Sequence, residues 1–209
     1  MTKKSNLPNS DRRWAGYITS FLIGVIVTSI PVGYQYIMSQ PKLMGRIVTV
    51  AYGQINDARI SAAALKSMTM YVYLANAREI PVSAVDYSLD INIDGNWKRM
   101  KLLYNRFENI RLGFEKQGPF GENSSLIVPS DNALLLHLLG KPIRRDEPIG
   151  GLLIFVTPEN YDLLNISRIR LRVYDGFGNS HTIEQEAKIE HDPQVLLRLV
   201  PGIKIEKIN

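Results

Sequence analysis

Cysteine is absent from these 209 residues. That excludes disulfides, thiolate nucleophiles, zinc–thiolate centres and iron–sulfur clusters together. Histidine is scarce. His137, His181 and His191 are too scattered for a helical His-x-x-x-His pair or another recognisable ligand set, so packing or surface roles are expected and no metal site is assigned. Ser39-Gln40-Pro41-Lys42 and Ser130-Asp131-Asn132 echo two elements of penicillin-binding enzymes, but the required Lys-Thr-Gly is missing. Gly176 and Gly178 lack a third glycine and a following helix, which removes a dinucleotide reading. There is no fixed repeat and no low-complexity tract. A lasting excess of one charge is lacking as well. The formal charge is +5, from 25 basic and 20 acidic residues, but removing Lys3, Lys4, Arg12, Arg13 and Asp11 leaves 21 against 19 downstream. A nucleic-acid binder would keep its basic footprint after that subtraction, so none is expected.

The chain has one long uncharged apolar run, from Trp14 to Pro41. As a helix, Ala15 to Met38 rises about 36 Å, enough to cross a ~30 Å hydrocarbon core with some tilt. Trp14 and Tyr17 mark one margin, and Tyr34 and Tyr36 the other, where amphipathic rings favour the headgroup layer. Pro31 removes a backbone donor and pushes on the Val27 carbonyl, so a kink is predicted, with Thr28 placed to relieve the backbone. Four cations precede the run and only Lys42 and Arg46 closely follow it, which predicts a cytoplasmic N-terminus. The run continues past the weak Val27-Thr28-Ser29 site without an Ala-x-Ala pattern, so a retained anchor is expected rather than a cleaved signal peptide. The resulting division is a basic cytoplasmic leader at 1–13, a transmembrane helix at 14–38, a juxtamembrane linker at 39–46 and an extracytoplasmic domain at 47–209, in the plasma (inner) membrane.

Beyond the linker the apolar period is two. Val85, Tyr87, Leu89, Ile91 and Ile93 alternate with Asp86, Ser88, Asp90, Asn92 and Asp94, the pattern of a half-buried strand. Asp94-Gly95-Asn96 supplies a turn into a partner strand over Trp97 to Tyr104. Ile47 to Gly53 and the Met68, Met70, Val72, Leu74 series make earlier strands. Ile169, Leu171 and Val173 alternate with three arginines up to the Asp175–Asn179 loop, and His181 to Ile189 completes a second hairpin. Gly151 to Val156 is continuously apolar and reads as a central strand buried on both faces. Gln117 to Ser124 is a loop by composition, Asp131 to Leu139 is either a short helix or an edge strand, and Ser61 to Lys66 has the propensity for one helical turn. Seven or more short strands predict a mainly β fold, an antiparallel sandwich of two one-sided sheets.

The string Tyr71-Val72-Tyr73-Leu74-Ala75-Asn76-Ala77-Arg78-Glu79-Ile80-Pro81-Val82, leading into the strand from Val85, resembles the opening of immunoglobulin-like β-sandwiches of the late-embryogenesis-abundant and water-stress (WHy) type. Gly150-Gly151-Leu152-Leu153-Ile154-Phe155 and Val173-Tyr174-Asp175-Gly176-Phe177-Gly178-Asn179 are similar to strands of uncharacterised bacterial membrane-anchored proteins of the same build. The resemblance implies an immunoglobulin-like sandwich and no catalytic residue.

Two residue sets carry functional expectations. Gly16, Ser20, Gly24 and Thr28 recur every fourth residue, which lines small side chains along one side of the membrane helix and would admit a neighbouring helix. Arg168, Arg170 and Arg172 share one face of a strand, while Lys98, Arg99, Lys101 and Arg106 crowd the other hairpin. Together they form a cationic patch for lipid headgroups, an anionic envelope polymer or an acidic protein if the strands share a sheet; the alternative is a solvated face balanced by Asp86 and Asp90. Asp90-Ile91-Asn92-Ile93-Asp94-Gly95 opens like an EF-hand loop, but its twelfth position is Lys101, so a plain hairpin is expected. The function expected is a single-pass membrane-anchored binding or assembly module, such as an accessory subunit of an envelope complex. It is not expected to be an enzyme, and no cofactor is implied. The alternatives are a hydrolase or transferase on a surface polymer, using carboxylates assembled by the fold, and a lipid-facing stress-protective protein.

Overall fold

A computed structural model describes residues 9–55, 61, 63–103, 109–113, 124–129, 142–187, 197–200 and 202–207. The chain divides into two compact units after Gln40. The first holds helix α1, Asn9–Ser39, whose window Gly16–Ser39 is long and apolar enough to cross a membrane. Pro31 lies inside this helix. The Thr28 hydroxyl does not turn to the carbonyl that Pro31 frees. It donates to the Gly24 and Val25 carbonyls at 2.8 and 3.2 Å, and Ser29 donates to Val25 as well.

The second unit is mainly β. Its strands are β1 (Leu43–Ile55), β2 (Leu65–Asn76), β3 (Ala84–Ile93), β4 (Asn96–Leu102), β5 (Asn109–Gly113), β6 (Ser124–Pro129), β7 (Ile149–Thr157), β8 (Ile166–Asp175), β9 (Ser180–Glu186) and β10 (Lys204–Lys207). Neighbouring strands pair antiparallel in the order β10-β6-β5-β1-β2-β7-β4-β3-β8-β9. The seven from β1 to β9 form a curled sheet, a half-barrel. β4 makes the corner: Asn96–Met100 pair with β3, whereas Lys101 and Leu102 pair with β7. The curl brings β9 back towards β1, where Leu43 N–H donates to His181 Nδ1 at 3.3 Å and Gln185 Nε2 to the Ile47 carbonyl at 3.3 Å. Gly45 is needed at this seam, because a Cβ there would collide with Ile183, Leu74 and the Tyr73 carbonyl.

The main core fills the curl. Met68, Met70, Val72 and Leu74 of β2 face Tyr87, Leu89 and Ile91 of β3, Leu153 and Phe155 of β7, and Ile169, Leu171 and Val173 of β8. A second cluster covers the outer face of β1, β2 and β7, where Ala51, Tyr71, Leu152, Ile154 and Val156 meet Val200, Leu197 and Leu199 from the C-terminal segment. β7 is therefore buried on both sides, as its unbroken apolar run predicts. Asn76 ends β2 at the predicted bend. Its amide donates to the Ile80 and Ile143 carbonyls and its oxygen accepts from Arg78 N–H.

Several expectations are corrected. β1 starts at Leu43, inside the segment read as linker, because its first residues pair with Ala75 and Asn76. Leu65 and Lys66 begin β2 instead of closing a helical turn. Val85 does not share the buried face of Tyr87 and Leu89. A register shift between Ala84 and Asp86 turns it outward, 47% exposed, and puts Ala84 in the core. Asp90 and Asn92 are buried, although alternation assigns them to the solvent side. Ser124 belongs to β6. The loop at 117–123, the ambiguous segment 131–139, Tyr104, Arg106, His137 and His191 lie outside the described residues.

These registers make opposite forecasts for neighbouring residues. Leu89→Asp places an unpaired carboxylate among fully buried side chains, costing about 3–5 kcal/mol of a total near 5–15, whereas Val85→Asp stays within about 0.5 kcal/mol. Urea unfolding of both variants checks this, and similar losses would contradict the bulge.

Candidate functional site

The outer face of β4, β3, β8 and β9 carries a ladder of arginines. It follows from strand register. In one cross-strand row Arg99, Asp90, Arg170 and Glu184 lie side by side; the next holds Trp97, Asn92, Arg168 and Glu186; a third holds Ser88, Arg172 and Thr182. Because alternate strand residues share a face, all these side chains emerge on one side.

Asp90 anchors the ladder. Arg99 Nε donates to its Oδ1 at 3.0 Å, and an Arg172 guanidinium nitrogen lies 2.7 Å from its Oδ2. Its side chain is only 8% exposed, against 62% for Arg99 and 25% for Arg172. Glu184 holds the other pair, meeting Arg170 at 3.0 Å and Arg168 at 3.3 Å. The Arg170 guanidinium also stacks on Trp97, 4.0 Å from the ring centroid. The hydrogen bond and charge of Asp90 raise the Arg99 guanidinium above its ordinary value. Asp90 thus sits low with the Arg99 and Arg172 guanidinium groups further out, while Glu184 stands between the more exposed Arg168 and the less exposed Arg170. Such forks are pre-oriented, with remaining N–H donors suited to carboxylate or phosphate oxygens.

Of the predicted patch, Arg168, Arg170, Arg172 and Arg99 come together. Lys101 is exposed at the β4 corner, paired across to Val156. Lys98 does not join them. It pairs with Ile91 on the core-facing side of β4, and its amine lies 5.9 Å from the Tyr161 ring. Gly16 and Gly24 have open space where a Cβ would stand, and Thr28 is tied back to Gly24. The EF-hand-like string is a hairpin in which Asp94 and Gly95 take positive φ, 50° and 81°. Asp90 is committed to its arginines and the Asn92 side chain accepts from Ser167 at 2.9 Å.

A second polar centre escaped the sequence reading. The Asp175 carboxylate accepts from Phe177 N–H and Asn179 N–H at 2.9 and 2.8 Å, from the Asn179 amide at 3.1 Å and from His181 Nε2 at 2.8 Å. Since Leu43 N–H donates to Nδ1, the histidine proton sits on Nε2. Burial pushes the Asp175 carboxyl up, but the bonds from His181, Asn179 and Phe177 outweigh it and hold it below the usual range. The Asp-Gly-Phe-Gly-Asn string signals the turn; nothing local signals the histidine. Glu184 was legible in principle, because a hairpin closed at Asp175–Asn179 places it opposite Arg170.

No family model matches the chain, and no curated protein matches it. Among solved structures, it is similar to a protein of Bacillus subtilis subsp. subtilis str. 168, ycdA, described as a lipoprotein, at 17% identity and a TM-score of 0.40. The match covers 75% of this chain and 39% of that one, so the chain spans about two fifths of that protein's length.

Replacing Asp90 by Asn leaves Arg172 facing a neutral amide in a half-buried setting and should cost about 1–3 kcal/mol, while Glu184→Gln costs under about 1 kcal/mol. Parallel denaturant titrations separate the two, and equal effects would mean that the ladder has no single anchor.

Asp175→Asn puts an amide donor against the Asn179 amide and the His181 proton and should cost about 2–3 kcal/mol at neutral pH. A depressed carboxyl stabilises fully above its unfolded value of 3.8 and loses that contribution as pH falls through its folded value. Stability measured against pH should therefore decline below 3.8 more steeply in the native chain than in the variant.

Proposed function

We propose that this chain is a single-pass membrane-anchored binding module, an accessory component of the cell envelope whose arginine ladder meets an anionic partner. The observation that carries the reading is the recessed position of Asp90, 8% exposed beneath Arg99 at 62% and Arg172 at 25%. A face balanced only for solubility has no need to recess its central acid. Fixed guanidinium forks favour carboxylate or phosphate groups repeated along a polymer or an acidic protein. The window Gly16–Ser39 supplies the anchor, and the four cations ahead of it against two just after support a cytoplasmic N-terminus and an extracytoplasmic domain. We also assign the curled sheet to the immunoglobulin-like class, since β1, β2 and β7 against β3, β8 and β9 follow the connection order of that sandwich.

Binding of polyphosphate to right-side-out and inside-out membrane vesicles tests both parts. Right-side-out vesicles should bind, with affinity falling as salt rises and at least about tenfold lower in the double variant Arg168→Gln, Lys101→Gln. Both residues lie at the exposed rim, so the variant should melt normally. Binding confined to inside-out vesicles would reverse the orientation, and equal affinity in the variant would remove the ladder from the contact.

A further inference from the structure

Six large apolar residues of the second unit are strongly exposed among the described residues: Met44, Tyr73, Ile80, Val85, Trp97 and Phe177. Single exposed apolar side chains are ordinary, but their placement here is not scattered. Trp97 stands apart at the start of β4, beside the β3–β4 turn and beneath Arg170. The other five gather at one end of the half-barrel. Met44, opposite Ala75, and Tyr73, opposite Arg46, lie one and three rows from the Leu43–Asn76 match. Ile80 lies in the bend that Asn76 organises, and Val85 follows at the start of β3. Phe177 tips the turn from β8 to β9, which is tied to the same end because Gly176 N–H donates to the Ser83 carbonyl.

Phe177 is 63% exposed, although its turn is among the most firmly bonded in the domain. Asp175 accepts from Phe177 N–H and Asn179 N–H, His181 ties the turn to Leu43, and Gly178 takes a φ of 86°. A rigid turn that presents a phenyl ring to water forgoes burial without gaining flexibility. The bulge after Ala84 does the same for Val85, which lies 3.8 Å from the position of a Cβ on Gly176. This is also the end from which the chain leaves for α1. Ser39 closes the helix and Leu43 opens β1, so four residue steps, about 14 Å fully extended, separate them.

We propose that this end of the domain seats in the lipid interface of the membrane that α1 spans, with Phe177 and Val85 entering the headgroup boundary. The proposal rests on the reading of α1 as a membrane span. The tether commits the surface to lipid: a bilayer boundary lies within reach of Leu43 at all times, and aromatic and aliphatic side chains on rigid loops are suited to partition into it.

The chain has no cysteine, so single cysteines carry unique labels. Full-length Phe177→Cys, Asn96→Cys and Ile26→Cys chains, each labelled with an environment-sensitive fluorophore, are reconstituted in phosphatidylcholine vesicles with and without lipids bearing a nitroxide on a shallow acyl carbon. At position 177 the emission should shift to the blue and lose at least about half its intensity to the nitroxide lipid, while at position 96, in the opposite turn, neither should occur. A label at 177 that behaves like the one at 96 overturns the proposal. So does a blue shift without quenching, which would mean that a second copy of the chain covers the ring. Quenching at 26 with none at 177 refutes only the interfacial seat; no quenching at 26 by shallow or deep nitroxide lipids refutes the span and the proposal with it.

Discussion

A sheet that curls around its own core must bring two edges together, and here the first half of β1 meets β9 through side chains. Leu43 N–H and the Ile47 carbonyl are satisfied by His181 and Gln185, and the missing side chain of Gly45 lets Ile183 close the gap. The core from Met68 to Val173 is sealed from water only if that seam holds. Asp175 sets its geometry, because one carboxylate fixes both the β8–β9 turn and the histidine that reaches β1. Buried polar groups of this kind are stabilising only when every partner is present, which makes the seam intolerant of partial change.

The same sheet separates two kinds of surface. On the face of β3 and β8, the central acid, Asp90, lies below the guanidinium groups of Arg99 and Arg172. At the end where β1 begins, exposed apolar side chains on well-bonded loops stand beside the ion pairs Arg145–Glu79 and Arg144–Glu147. Under the two proposals, the first would meet a hydrated anionic partner and the second a boundary between water and lipid. Their separation on one rigid scaffold would allow a membrane-seated domain to keep its arginine face turned to solvent.

Much of the local structure was legible in the sequence. The unbroken run at Gly151–Val156 gave a central strand, Asp94-Gly95 gave a turn whose residues do take positive φ, and Asn76 marked the end of β2. What was hidden depends on pairing between distant strands. Alternation cannot reveal the bulge that turns Val85 outward, since that is set by β8. Nor can it reveal that Asp90 is buried, because the groups that cover it, Arg99 and Arg172, come from two other strands. The arginines were visible as a set; the recessed counter-ion, Asp90, required the register. The part His181 plays in the seam carried no signal, as Leu43, which it joins to the nearby Asp175, lies 138 positions away.

That separation has a kinetic meaning. β1 and β2 can pair as soon as a short stretch of chain is available, but the contacts across the seam wait for residues made far later. Loop closure over such a distance is slow, and until it occurs the early half of β1 offers an unpaired edge to any passing strand. A chain delivered N-terminus first would hold that edge open through most of its synthesis. The vulnerable species in assembly is then a partly built sheet that lacks its β8–β9 hairpin and everything after it, and the open edge around Gly45 is where a wrong neighbour would be captured.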